Sequence, residues 1–328
     1  MIFPILFGTQ TSTLKVYYSL DDVPLIKNPV LTLGTFDGVH SGHQQIIDFL
    51  NKSAERINGE TVLFTFHPHP RIVLHPDDHN LELIQDIDRR IERLEEAGID
   101  HLILFPFSKE FSRMSATEFV RDILVNKLNV KLMTIGYNHH FGRNREGNIK
   151  LLNELGPIYD FEVQEIPAFR YDEISVSSTK TRKAIKTGDI KTANHYLGRP
   201  FRFKGKVVKG NQIGREIGFP TANLSGLADT QIIPESGVFA VKCKVSGTVY
   251  DGMMNIGFRP TINSGSEKRI EINIFDFDQE IYGEEIEVYL IDKVRDEKTF
   301  NGIEELREQL MKDEISCKNI FGRSTVSL

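Results

Sequence analysis

The sequence predicts two domains in tandem: an α/β domain built on a parallel sheet, then an antiparallel β domain finished by a terminal helix. Three observations predict it. The chain has 328 residues, enough for two domains that each bury a core. From Val30 to Gly188 short apolar runs alternate with amphipathic segments. After Gly198-Arg199-Pro200 the pattern changes, and strands follow one another with only turns between them.

In the first region strands are predicted at Val30–Leu33, Thr61–Phe66, Leu102–Phe105, Leu132–Ile135 and Phe161–Ile166. A helix is expected from Asp86 to Ala97, with Ile87, Ile91 and Leu94 on one face and Gly98 as its stop. Ser115-Ala-Thr-Glu118 is a capping box that opens another helix through Phe119, Ile123 and Leu128. Such alternation implies parallel strands joined by crossover helices, a doubly wound sheet that binds ligands at its carboxyl edge. In the second region Val241–Val245, Arg269–Ile274 and Ile286–Leu290 alternate apolar with polar residues, each a strand with one wet face. Ser246-Gly247 and Asp278-Gln279 read as turns, and a helix near Asn301 can turn Ile303, Leu306 and Leu310 inward. This grammar suits an antiparallel barrel or sandwich. The boundary falls near Gly188–Pro200, giving domains 1–188 and 189–328.

Composition excludes several classes. Lys and Arg number 40 against 46 Asp and Glu, a net charge of -6 with no long basic run, so a nucleic-acid partner is not expected. A small anionic substrate is compatible, because a few local donors bind it. Cys243 and Cys317 stand far apart in no metal-ligand spacing and read as reduced structural residues. The apolar start, Met1 to Phe7, has no basic flank or cleavage site, and no apolar run is long enough to span a bilayer. The expected compartment is the cytoplasm, with no membrane partner; the oligomeric state is left open.

The first strand runs into Gly34-Thr-Phe-Asp-Gly-Val-His-Ser-Gly-His43, and a helix follows. Gly34, Gly38 and Gly42 permit tight turns and close approach of a ligand to the backbone. A helix N-terminus offers unpaired N–H groups to an anion, and His40 and His43, three apart, can face the same phosphate. Fixed donors there would stabilise charge developing on a nucleotide α-phosphate as pyrophosphate leaves. The competing reading is a helix cap plus a surface histidine; the position directly after the first strand favours the phosphate site. At the far end of the domain Ser177-Ser-Thr-Lys-Thr-Arg182 opens another helix with hydroxyls and cations, a clamp suited to β- and γ-phosphates. His67, His69, His75, His79, His139 and His140 complete no zinc pattern, so a transition metal is not expected.

These motifs resemble the adenylyltransferase half of bacterial bifunctional riboflavin kinase/FAD synthetases. Phe66-His-Pro-His-Pro-Arg71, the segment Phe107-Ser-Lys-Glu-Phe111 through Phe119, and Gly136-Tyr-Asn-His-His-Phe-Gly142 with Gly147 resemble further motifs of that family. The resemblance implies a Rossmann-like nucleotidyltransferase domain. Its ATP-binding residues would be Gly34, Phe36, Asp37, Gly38, Ser177, Ser178, Thr179 and Lys180. Its flavin-binding residues would be Pro68, His69, Asn138, Phe141 and Gly142. His40, His43 and Arg182 would carry catalysis. At Asn138 the family more often has Asp.

In the second region Gly210–Asn223 lacks the Gly-Lys-Ser/Thr ending of a P-loop and by itself reads as a glycine loop leading into a turn. Yet Gly218-Phe-Pro-Thr-Ala-Asn223 resembles the riboflavin kinase signature, as do Asn255-Ile-Gly-Phe-Arg-Pro-Thr261, Ile270-Glu-Ile272, Asp276-Phe277, Tyr282-Gly283 and Arg295 with Phe300. The resemblance implies a riboflavin-kinase-like β-barrel with a terminal helix. Gly218, Pro220, Thr221 and Asn223 would bind ATP, Thr221 and Asn223 would hold Mg²⁺, and Arg295 would line a flavin pocket. The catalytic carboxylate falls on Glu271, which strand alternation places opposite Ile270, Ile272 and Ile274. A solvated strand glutamate is the competing reading, and two positions on, where the family usually carries His, stands Asn273. The implied chemistry is phosphorylation of riboflavin to FMN with ATP and Mg²⁺, then adenylylation of FMN to FAD. Two rivals are a different nucleotidyltransferase regulated by its barrel, and a flavin-sensing module without catalysis.

Overall fold

The computed structural model describes residues 13–77, 81–136, 139–166, 176–210, 213–260 and 266–323. They form two compact units, one of residues up to Leu81 with Ile87–Ser175, the other of Glu82–Asp86 with Val176 onward.

The first unit is a six-stranded parallel sheet. Its strands are β1 (Lys15–Tyr17), β2 (Val30–Leu33), β3 (Thr61–His67), β4 (His101–Pro106), β5 (Leu132–Gly136) and β6 (Glu162–Ile166), in the order β1-β4-β3-β2-β5-β6. Helices α1 (Ser41–Arg56), α2 (Pro70–Leu74), α3 (Ile87–Glu96), α4 (Ala116–Glu118) and α5 (Ile149–Tyr159) lie between them. The capping box of Ser115 and Glu118 forms, and the helix it opens continues beyond α4 as a π-helical stretch over Phe119–Val125. Strand β1 has no counterpart among the strands expected from sequence: three residues are too few to display a period.

Alternate residues of each strand feed two cores. Val30, Leu63, Leu102 and Leu132 pack with Ile47, Leu50 and Ala54 of α1 and Leu94 of α3. Leu31, Val62, Phe64, Ile103 and Met133 pack with Phe119, Val120, Ile123 and Leu124, and with Leu152 of α5. A sheet covered on both faces explains strands that read as unbroken apolar runs. Chain direction across the sheet reverses at β2: β3 and β4 extend one way, β5 and β6 the other. That is the switch point at which open α/β sheets hold ligands.

The second unit begins with α6 (Ser178–Lys186) and α7 (Ile190–Leu197). A closed antiparallel barrel follows, of β7 (Phe201–Val208), β8 (Ala222–Ser225), β9 (Gly237–Val245), β10 (Thr248–Pro260), β11 (Ser266–Ile274) and β12 (Glu285–Arg295), with short helix α8 (Ile213–Glu216) before β8. Strand order is β10-β11-β8-β7-β12-β9. The expected alternation is present: Val241, Cys243, Ile270, Ile272, Ile286, Val288 and Leu290 fill the interior. Ser246 and Gly247, both at positive φ, make the hairpin turn between β9 and β10. Helices α6 and α7 belong to this unit because Ala184, Ile185, Ile190, Ala193 and Leu197 join the barrel's core. So does the short segment 82–86: Leu83 N–H donates to Thr230 O at 2.6 Å, Ile232 N–H to Leu83 O at 3.0 Å, and Ile84 is buried in the same cluster.

Helix α9 (Ile303–Arg323) closes the chain. Leu310, Cys317, Ile320 and Phe321 pack on Phe219, Ala240, Met253 and Phe275. Ile303 is a correction to the sequence expectation: it is 54% exposed, because it opens the helix one turn ahead of the packed stripe. Among the described residues no helix is long and apolar enough to cross a membrane. Both cysteines are free and buried.

Candidate active sites

The loop after β2 leaves the sheet at its switch point. Gly34 N–H donates to Phe64 O at 3.2 Å, and a Cβ on Gly34 would lie 2.7 Å from the Phe36 ring. Phe36, Gly38 and Val39 all take positive φ, and Phe36 and Val39 are buried in the core beside α1. A phenylalanine and a β-branched valine in the left-handed region hold strain that the packing beneath them maintains. The loop is thus rigid where it meets the helix.

His40 is the N-cap of α1: its Nδ1 accepts from His43 N–H at 3.2 Å. An Nδ1 that accepts leaves the ring proton of the neutral imidazole on Nε2. The His40 and His43 rings stack at 3.7 Å between centroids, and Phe36 lies 4.7 Å from His43. So the spacing does bring the two histidines together, with His40 as cap rather than first-turn residue. Asp37 in the same loop is fully buried. Ser41, which the sequence offered no reason to single out, has a buried Oγ without a hydrogen-bond partner among the described residues.

Two neighbouring loops complete the carboxyl edge. After β3, the His67–Pro68 peptide is cis and His69 caps α2, its Nδ1 accepting from Arg71 N–H at 3.2 Å. After β5, Phe141 and Gly147 exchange backbone hydrogen bonds of 3.1 and 2.9 Å. Gly142 sits at φ 73, where a Cβ would come within 2.7 Å of the Ala116 backbone. Glu146 Oε1 accepts from Ala116 N–H at 2.9 Å, pinning this loop to the start of α4. Phe141 packs 5.8 Å from Phe119, at one end of an aromatic series through Phe64, Phe66, Phe105, Phe107 and Phe111. Asn138 lies outside the described residues. Burial first, then the charges of Arg145 and His140, push the His139 imidazole down to about 4, so it is neutral at pH 7.

At the start of α6, Ser177 Oγ accepts from Lys180 N–H at 3.3 Å and Thr181 Oγ1 donates to Ser177 O at 3.0 Å. Thr179 and Lys180 are exposed, while Ser178 and Arg182 are half-buried. The cap expected from sequence is formed, in the second compact unit.

Among the cavities that the described residues of the barrel line are one of about 310 Å³ and one of about 240 Å³, and Thr221 lines both. The first is walled by Pro220, Thr221, Ala222, Phe277 and Tyr282, the second by Asn255, Glu271, Asn273, Arg295 and Phe300. Register explains the second wall. Glu271 is directly opposite Asn223 on one side and Asn255 on the other, so three polar side chains cross neighbouring strands on the outward face. Gly218 turns the chain into this site at φ 84. A Cβ at Gly210 would lie 2.1 Å from the Asn223 amide, so a larger residue there would displace that side chain.

Arg295 is held from behind. Its Nε donates to Asp313 Oδ1 at 2.9 Å, its Nη2 to Asp313 Oδ2 at 2.7 Å and its Nη1 to Asp296 O at 2.9 Å. Asp313 is only 2% exposed and also accepts from Gln309 Nε2 at 2.9 Å. The guanidinium lies 5.8 Å from the Phe300 ring centroid. Asp313 was missed in the sequence, although an acid between Leu310 and Cys317 on an otherwise apolar helical stripe is a legible sign.

The two units define a class: a two-domain transferase with an α/β nucleotidyltransferase-like half and a small kinase-like barrel. Comparison with known proteins narrows it. A family profile described as FAD synthetase matches residues 24–180, and one described as riboflavin kinase matches residues 197–321. A bifunctional riboflavin kinase/FMN adenylyltransferase of Buchnera aphidicola is 38% identical over 90% of this chain and 94% of its own. That of Bacillus subtilis is 37% identical over 89% and 92%. A crystal structure described as a macrolide-efflux protein from Streptococcus pneumoniae superposes with a TM-score of 0.85 at 34% identity, covering 93% of this chain and 99% of that one. The chain belongs to the bifunctional riboflavin kinase/FMN adenylyltransferase family.

Proposed function

We propose that the chain catalyses both reactions of its family: phosphorylation of riboflavin by ATP, and transfer of AMP from a second ATP to the resulting FMN. One observation carries the first reaction furthest. Thr221 stands in the wall common to two cavities, and Glu271 lies in one of them, beside Asn223 in register. A nucleotide in the larger cavity and a flavin in the smaller would meet there. Glu271 would take the proton of a ribityl hydroxyl as its oxygen attacks the γ-phosphorus and ADP leaves. Arg295 and Phe300 would line the flavin side. Thr221 and Asn223 are neutral hard-oxygen donors, a set suited to Mg²⁺ that keeps most of its ligands as phosphate oxygens and water. The ion would neutralise charge on the phosphates.

In the first domain FMN is itself the nucleophile. A phosphate oxygen attacks the α-phosphorus of ATP and pyrophosphate leaves, with no covalent enzyme intermediate. His40, His43 and the N-terminus of α1 would stabilise the developing charge, with Gly34, Phe36, Asp37 and Gly38 shaping the nucleotide loop. Pro68, His69, Asn138, Phe141 and Gly142 would meet the flavin. Ser177, Ser178, Thr179, Lys180 and Arg182, at the start of α6, would bind phosphate. The functional division follows residues 1–188 and 189–328. Two buried, reduced thiols accord with the cytoplasm as compartment.

A chromatographic time course with riboflavin, ATP and Mg²⁺ tests this reading. FMN should appear first and FAD second. Glu271→Ala should abolish the first step and spare FAD synthesis from supplied FMN. A wild-type protein that forms no FMN and leaves supplied FMN unchanged would overturn it.

A further inference from the structure

The pairing of β11 with β8 runs Ile270 to Leu224, Glu271 to Asn223, Ile272 to Ala222, and stops there. It stops because the chain ahead of β8 cannot continue a ladder. Pro220 has no N–H, and the residues before it turn away, with Gly218 at φ 84 and Phe219 N–H donating to Gly214 O at 2.7 Å. A carbonyl at such a place would be left without a partner. Asn273, the next residue along β11, supplies one from its side chain: Nδ2 donates to Pro220 O at 2.7 Å, and the residue is only 8% exposed. The amide thus extends the strand pairing one step past the end of the backbone ladder.

The next residue after that anchored carbonyl is Thr221, the shared wall of the two cavities. Asn273 itself lies two positions from Glu271 on the same face of β11 and lines the same cavity. One strand therefore carries the base and, 2 residues on, a clamp on the turn that presents Thr221. We propose that Asn273 is a positioning residue of the kinase site, acting through the Pro220–Thr221 peptide to hold Thr221 against the nucleotide's phosphates. This rests on the kinase reading of the barrel. An imidazole N–H can make the same bond, so the role needs a donor of this reach and not an amide as such.

Asn273→Leu, which keeps the volume and removes the donor, should raise KM for ATP in FMN formation about tenfold, the scale of one lost buried hydrogen bond. KM for riboflavin should stay within about twofold. Asn273→His should restore KM for ATP, which a packing role would not allow. Hydrogen exchange read on the 218–224 peptide should quicken in the Leu variant and recover in the His variant. A wild-type-like melting transition of the barrel reports that each variant is folded; should the Leu variant fail that check, Asn273→Asp removes the donor while keeping size and polarity. An unchanged KM for ATP with unchanged exchange overturns the proposal, as does a parallel rise in both KM values. If the wild type makes no FMN at all, the kinase reading fails by itself, and unchanged exchange in the donor-less variant still overturns the clamp.

Discussion

His40 has two tasks at opposite ends of one ring. Nδ1 is committed to the cap of α1, and in the proposed adenylyl transfer Nε2 would carry the donor, while the His43 ring stacks on that of His40. His40→Asn should keep a competent cap, since Asn is among the best N-cap residues, but lose the far nitrogen. We expect FAD synthesis to fall about 10²–10³-fold, the range for removing one preorganised donor to a developing oxyanion, while FMN formation continues. Steady-state rates of both steps in one preparation check this. His139 gives a pH signature of the opposite kind. Its native imidazole titrates near 4 against 6.5 for the free group, so an unfolded chain binds the proton first. The contribution of His139 to stability is complete above about pH 6.5 and is lost as pH falls toward 4. Melting temperatures across that window should decline less steeply in His139→Asn than in the wild type.

Among the elements, the loop after β5 depends on a close approach rather than on hydrogen bonds alone. Gly142→Ala places a methyl group on the Ala116 backbone and a side chain at φ 73. A cost of about 1–3 kcal/mol follows from the backbone conformation alone, and calorimetric melting should show it together with weakened FAD synthesis. The elements themselves were largely legible. Four central strands and the capping box at Ser115 appear where hydrophobic runs and spacing placed them, because parallel strands buried on both faces leave little ambiguity. Strand β1 was hidden by its length, and the π-helical turn after α4 by a periodicity too close to 3.6 to distinguish. Within the candidate sites, histidines and glycines were legible because their spacing is local. The alignment of Asn255, Glu271 and Asn223 was not, because cross-strand register is decided by pairing across a long sequence separation. Asp313 behind Arg295 and Asn273 beneath Pro220 are of the same non-local kind.

Across the whole molecule, the proposed histidine site lies on the first unit and the proposed kinase base on the barrel, which implies two reactions that can be disabled one at a time. His40→Asn chains should accumulate FMN from riboflavin, and Glu271→Ala chains should make FAD only when given FMN. Neither variant alone should convert riboflavin to FAD. Mixed together they should do so, with FMN passing through solution from one protein to the other. Chromatography of the mixture decides it, and a mixture that stalls at FMN would contradict independent sites.

The segment 82–86 bears on how the chain is made. It emerges from the ribosome in the middle of the first unit, but its hydrogen-bonding partners, Thr230 and Ile232, are translated about 150 residues later. At roughly 5–20 residues per second that interval lasts about 7–30 s, during which Ile84 has no core to enter. Folding therefore includes the retrieval of an early segment by a late one, and a single proteolytic nick after residue 175 would not release two self-sufficient halves.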